Sequence, residues 1–284
     1  MACWISTPSM GTTFYCNFRF HKGDLDDLIV GLLITGEVMS AQRVRVSDRE
    51  ALCMTLRRLA YPNRLCDLET IFNRHSSVIS SVVSKAVHQK GAPLKNCWGL
   101  IDDTARRICR PSKLQQEHYS RHKRFHRQKY QAVMCANGTI CQLDGPFRGR
   151  RHDAGILKDT RLYENIVKVA RGNKYVIYRD PTYPLKPLLL KPHGGARLQP
   201  YQAHFNKCMS TVRQAAEWGF GKVAADFAFV DFHKNLKVTR QRVGSIYKVA
   251  TLLANCRTCQ YDSQVSMYFG LEPPSLSDYL FPFN

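Results

Sequence analysis

CWGLIDDT, residues 97–104, starts apolar and ends in two carboxylates and a threonine. A short apolar run bounded by acids suits a buried β-strand whose C-terminal end reaches the surface. An ionised carboxylate left unpaired in the interior would be costly. Strand side chains alternate between faces, so only one of Asp102 and Asp103 points into a given pocket. A second run, NKYVIYRD at 173–180, has the same form and ends on Asp180. Between the two, KYQAVMCA (129–136) and TICQLDGPF (139–147) flank Asn137-Gly138. That dipeptide is a strong hairpin signal, because both residues tolerate the positive φ of a tight turn. His152 and Asp153 open a helix to about Val169, with Ile156, Leu157, Leu162, Ile166 and Val169 on its core face. Pro181, Pro184 and Pro187 keep the chain irregular until a long helix that carries Glu217. The order strand, two-strand hairpin, helix, strand, loop, helix is that of an RNase H-like α/β fold, a mixed sheet flanked by helices.

The part before this core reads as helical. In FHKGDLDDLIVGLL (20–33) a helix starts near Asp24, and Ser47 and Glu50 have capping-box spacing ahead of ALCMTLRRLA. Tyr61 to Asn63 break that helix. Asp67 caps a second in DLETIFN, and Ile79, Val82, Val83 and Ala86 share one face of a third. Three helices with a short polar turn resemble a helix-turn-helix, which either packs on the core or reads DNA.

Composition narrows the function. With 44% hydrophobic residues, the 284-residue chain can bury a core, which excludes disordered and fibrous classes. Its 42 Lys and Arg against 22 Asp and Glu give a net charge of +20 and call for an anionic partner, nucleic acid first. The N-terminus shows no secretory pattern, and the longest apolar run, Leu28 to Ile34, is too short to span a bilayer. Eleven cysteines scattered without a leader read as reduced thiols. Cys256 and Cys259 form the one CxxC, without the further ligands structural zinc takes.

Within this basic chain Asp102, Asp180 and Glu217 stand at the edges of successive elements. Three carboxylates can hold two Mg²⁺ or Mn²⁺ ions about 4 Å apart, the arrangement used for in-line displacement at phosphorus. Hard oxygen donors favour these ions over zinc. Nine Lys or Arg residues lie between Arg106 and Lys129, against one acid, Glu117. In HYSRHKRFHRQKY, Arg121, Lys123, Arg124, Arg127 and Lys129 alternate with aromatics able to stack on bases or to pack under the sheet. Arg148, Arg150 and Arg151 precede the next helix, and Lys222 follows Glu217. All nine are candidate DNA contacts.

These motifs carry a resemblance. The segment from Cys97 to about Tyr261 is similar to the DDE superfamily nuclease domain of PIF/Harbinger-type transposases and their host-derived relatives. IDDT stands where that family has I-D-G-T, GRRHDAGIL resembles G-x-x-H-D-x-x-I-L, and RDPTYPL resembles G-D-x-x-Y-P-L. Phe205-Asn206 and RQAAEWGFGK follow in family order, and LRRLAYPNRLCDLETIF resembles the helical region that precedes the nuclease domain in one branch. The resemblance implies that Asp102, Asp180 and Glu217 are catalytic and bind the metal, with Asp103 at a glycine position. It also implies Mg²⁺ dependence, action in the nucleus, and a separate Myb/SANT-like protein that supplies DNA targeting. Arg179, at a second glycine position, and Asp103 depart from the family pattern and could disturb the metal pocket.

The expected organisation is an N-terminal extension with a short helix (1–45), a helix-turn-helix-like region (46–95), an RNase H-like nuclease domain (96–262) and a C-terminal tail (263–284). The expected activity is metal-dependent DNA cleavage with transfer of the 3′-hydroxyl strand, on DNA bound by a possible homo-oligomer and with no membrane association. The alternative is a domesticated, catalytically silent DNA-binding or partner-binding protein on the same scaffold.

Overall fold

A computed structural model describes residues 11–34, 36–61, 99–170, 177–179, 186–195, 197–238 and 240–281. The second and third helices of the expected helix-turn-helix lie outside these residues. The first helix, and the cap read for it, are observed: α3 (Asp48–Ala60) begins after Ser47, whose Oγ accepts the Glu50 N–H at 3.2 Å. Ahead of it the chain holds more than one short helix. It forms α1 (Gly11–Phe18), α2 (Asp24–Gly31) and a ribbon of β1 (Glu37–Met39) and β2 (Arg45–Ser47).

The central sheet is built outward from β3 (Gly99–Arg107), paired antiparallel to β5 (Phe125–Cys135) from Gly99 opposite Cys135 to Arg107 opposite Arg127. Gly99 permits the close approach: a Cβ there would lie 1.9 Å from the Met134 carbonyl oxygen. The Asn-Gly turn then leads into β6 (Ile140–Arg148). Gly138 takes φ +85°, and Asn137 Oδ1 accepts the Thr139 N–H and hydroxyl at 3.2 and 2.8 Å. On the other side of β3 lie β7 (Ile177–Arg179) and β8 (Leu189–Leu190), both parallel to it. The order β6-β5-β3-β7-β8, with β4 (Tyr119–Ser120) also on β5, is the mixed sheet read from the sequence. The short α4 (Gln115–His118) leads into β4.

The period of two along each strand separates two cores. Leu100, Tyr130, Ala132, Met134 and Tyr178 face α7 (Pro200–Asp226) and α8 (Val243–Tyr261), against Ala216, Phe220, Val223, Tyr247 and Leu253. Ile101, Val133 and Ile177 face the opposite way, onto Leu157, Leu162 and Ile166. The helix expected from His152 to Val169 is two helices, α5 (Asp153–Asp159) and α6 (Leu162–Ala170). Thr160 breaks it with an extended backbone, ψ 145°, while its hydroxyl donates to Gln131 Oε1 at 3.2 Å.

The N-terminal elements share the α7–α8 core, with Phe14, Leu28, Leu52 and Leu56 in one cluster with Phe227 and Leu253. Within residues 263–281 the chain forms α9 (Gln264–Phe269) and α10 (Leu276–Leu280). Asn255 ties this end together: its Oδ1 accepts the Ile140 N–H, and its Nδ2 donates to the Ile140 carbonyl and the Tyr279 hydroxyl, all at 2.8–2.9 Å. Asn255→Ala strips partners from buried groups on β6 and α10. A loss of about 3 kcal/mol is expected, read as a fall of roughly 6–10 °C in the melting temperature.

Candidate active site

Asp102 lies inside β3, five residues short of its end, rather than at a strand terminus as its sequence suggested. Pairing with β5 carries the strand on to Arg107. What ends near Asp102 is the described parallel ladder, Leu100 opposite Tyr178 and Ile101 opposite Arg179. The last described pair of that ladder stands directly before Asp102 on β3.

Alternation chooses between the two aspartates. Asp102 shares the face of Leu100, toward α7, and Asp103 shares the face of Ile101, toward α5 and α6. Asp102 is half-buried, and its Oδ1 accepts the Asp103 N–H at 2.9 Å. Arg179 is fully buried and pairs with Ile101, so it belongs to the Asp103 side of the sheet. Neither departure from the family pattern falls on the face of Asp102. Asp180, one peptide bond after Arg179, lies outside the described residues.

Glu217 is exposed on α7, which crosses this face. Around the helix it stands about 100° from buried Ala216 and about 60° from buried Phe220, so it borders the stripe that meets the sheet. The helix starts at Pro200, suited to the first turn because its missing N–H is not needed there. Phe205 packs edge-on to Tyr178 at 6.3 Å, and Asn206 brackets the backbone of His193, accepting its N–H at 2.8 Å and donating to its carbonyl at 2.9 Å. Farther along, Arg106 Nη2 donates to the Phe220 carbonyl at 2.8 Å, one turn beyond Glu217. Arg106 follows Asp102 and Thr104 on the same face and so ties the helix of Glu217 to the strand of Asp102. In the sequence Arg106 is one cation among nine, and its even spacing from Asp102 is the signal that sets it apart.

His152 and Asp153 stand at the start of α5, and Asp153 is held by the Lys129 ammonium on the Asp103 side. Several expected DNA contacts are likewise engaged within the protein. Lys129 is buried and also donates to the Arg151 carbonyl at 2.9 Å, and Lys222 pairs with Asp226 at 2.7 Å. Arg148 pairs with Glu117 and Arg151 with Asp159, while Arg127 Nε donates to the Gly149 carbonyl at 3.1 Å. Arg121, Lys123, Arg124 and Arg150 are exposed.

Among the described residues, no three or more His, Cys, Asp or Glu side chains form a metal-holding group; that set excludes Asp180. The oxygen donors of Asp102 and Glu217 fit a hard divalent cation. Cys256 and Cys259 lie on α8, and burial pushes the Cys259 thiol up to about 12, away from the thiolate a metal requires. No described helix is long and apolar enough to cross a membrane.

No curated protein and no solved structure matches the chain significantly. The family profile described as DDE superfamily endonuclease matches residues 101–255, from the residue before Asp102 to the Asn255 bracket. With the profile covering more than half of its length, including the sheet, α7 and most of α8, the chain belongs to the DDE superfamily endonuclease family.

Proposed function

We propose that this chain is a divalent-metal-dependent DNA endonuclease of the PIF/Harbinger transposase type, which cuts a phosphodiester bond and passes the freed 3′-hydroxyl strand to target DNA. The placement of Asp102 carries the reading. It sits on the α7 face of β3, one residue after the pair Ile101 opposite Arg179, and the residue that follows Arg179 in the sequence is Asp180. Asp180 is the second of the three acids in family order, and α7 brings the third, Glu217, across the face of Asp102.

Asp102, Asp180 and Glu217 would hold two Mg²⁺ or Mn²⁺ ions, which supply Lewis-acid stabilisation of the phosphate and a more acidic attacking water. The Asp103 N–H orients the Asp102 carboxylate, and Arg106 fixes the helix that presents Glu217. Exposed arginines and lysines neutralise the DNA backbone. Nuclear action and targeting through a separate Myb/SANT-like protein belong to the same proposal.

The full chain incubated with supercoiled plasmid is expected to nick or linearise it in Mg²⁺ or Mn²⁺, and to stop when EDTA removes the ion. DNA binding that weakens steeply with salt, without cleavage in either ion, would overturn the nuclease reading and identify a silent DNA-binding scaffold.

A further inference from the structure

The basic run in front of β5 is a built hairpin. Tyr119 and Ser120 pair with His126 and Phe125, and the four residues between, Arg121, His122, Lys123 and Arg124, are all exposed. The turn is closed by the Arg124 N–H donating to the Ser120 carbonyl at 2.7 Å and by the Lys123 N–H donating to Ser120 Oγ at 3.3 Å. Arg124 sits at φ 56°, a left-handed conformation unfavourable for a residue with a Cβ. A cation thus stands where glycine or asparagine would close the turn at less cost.

The surrounding charges sharpen the contrast. Glu117, Asp153 and Asp159 each pair with a different cation, Arg148, Lys129 and Arg151. Among the described residues, no carboxylate forms an ion pair with Arg121, Lys123 or Arg124. The base of the hairpin is stiffened by aromatic contacts, with Tyr119 against His126 at 5.2 Å and Arg107 over Phe125 at 5.4 Å. Burial, with Arg110 and His118 nearby, holds His126 below its usual pKa, so the fixed charge of the tip comes from arginine and lysine. Three cations on a short, tied turn at the end of the sheet make a contact for a polyanion.

Its distance from the candidate site follows from the ladder. Asp102 faces Ala132, seven residues along β5 from Phe125. At roughly 3.3 Å per residue that is about 23 Å, the span of about seven nucleotides at 3.4 Å each. We propose that the Arg121–Arg124 tip is a positioning arm that grips the DNA backbone about seven to eight nucleotides from the phosphate at Asp102. It sets the register of the duplex through phosphates, without reading bases. The proposal rests on the reading of this chain as a DNA endonuclease.

The test compares the full chain with a triple variant, Arg121→Gln, Lys123→Gln and Arg124→Asn, by fluorescence anisotropy on duplex DNA in EDTA from 50 to 300 mM NaCl. Asn is used at position 124 because it tolerates the left-handed backbone. The slope of log affinity against log salt is expected to shrink by about 2.7 in the triple variant and by about 0.9 for Arg121→Gln alone, which disturbs the turn least. A hydroxyl-radical footprint should lose one block of protection, seven to eight nucleotides from the cut, and keep the rest. An unchanged slope in both variants, or a footprint that fades evenly, overturns the arm. Wild-type binding without cleavage would instead defeat the nuclease reading and leave the slope comparison intact.

Discussion

Asp102→Asn is expected to abolish Mg²⁺-dependent cleavage while leaving the circular dichroism spectrum and melting temperature of the wild type. The substitution keeps the shape of the side chain and its acceptor for the Asp103 N–H, and removes the negative charge that would hold a cation. Losing about 4 kcal/mol of transition-state stabilisation lowers the rate roughly 10³-fold. Asp180→Asn and Glu217→Gln should do the same. Asp103→Asn is the control, because its side chain belongs to the opposite face of β3. Single-turnover cleavage of an end-labelled duplex reads all four: Asp103→Asn should stay within about fivefold of wild type, under 1 kcal/mol. Equal losses at Asp102 and Asp103 would remove the argument from strand alternation, and retained cleavage in any of the other three would remove that residue from the site.

Arg257→Ala should cost the most stability of any single change considered. The guanidinium is nearly buried on α8, with Nε 3.2 Å from Asp226 Oδ1 and Nη2 donating to the Tyr15 hydroxyl at 2.8 Å. The rings of Tyr15, Phe20 and Tyr261 lie 5.2, 5.7 and 5.3 Å from its central carbon. Asp226 also takes Lys222 on its carboxylate and the Arg19 Nε–H on its carbonyl. This arginine joins α1 to the ends of α7 and α8. Removing one partner of a buried pair costs about 3–5 kcal/mol, since the other charge stays buried. The melting temperature should fall by roughly 10 °C, and limited proteolysis should release the N-terminal helices first. A shift under about 2 °C would show that the N-terminal region is held without this clamp.

The clamp lies beyond the reach of local pattern. Tyr15 lies more than two hundred residues from both Asp226 and Arg257, and nothing in the neighbourhood of each names the others. The Asn137-Gly138 hairpin, the Ser47 cap and the long helix of Glu217 were legible because each rests on interactions within a few residues. The break at Thr160 was missed for the opposite reason: the apolar spacing continues through it, and the extended backbone is paired with a hydroxyl contact to β5. Lys129 and Lys222 read as DNA contacts until their carboxylate partners came into view, one of them from another element.

By itself the sequence determined the element order, the mixed-sheet class, the excess of positive charge and three acids in family order. Period-two alternation could state that Asp102 and Asp103 face apart. Only the tertiary structure decided which face meets α7, which cations are consumed inside the protein, and that the residues at the two departures from the family, Asp103 and Arg179, share the far side of the sheet. Those facts depend on which strand lies beside which and on which helix covers each face. They are set by long-range burial, to which local spacing is blind.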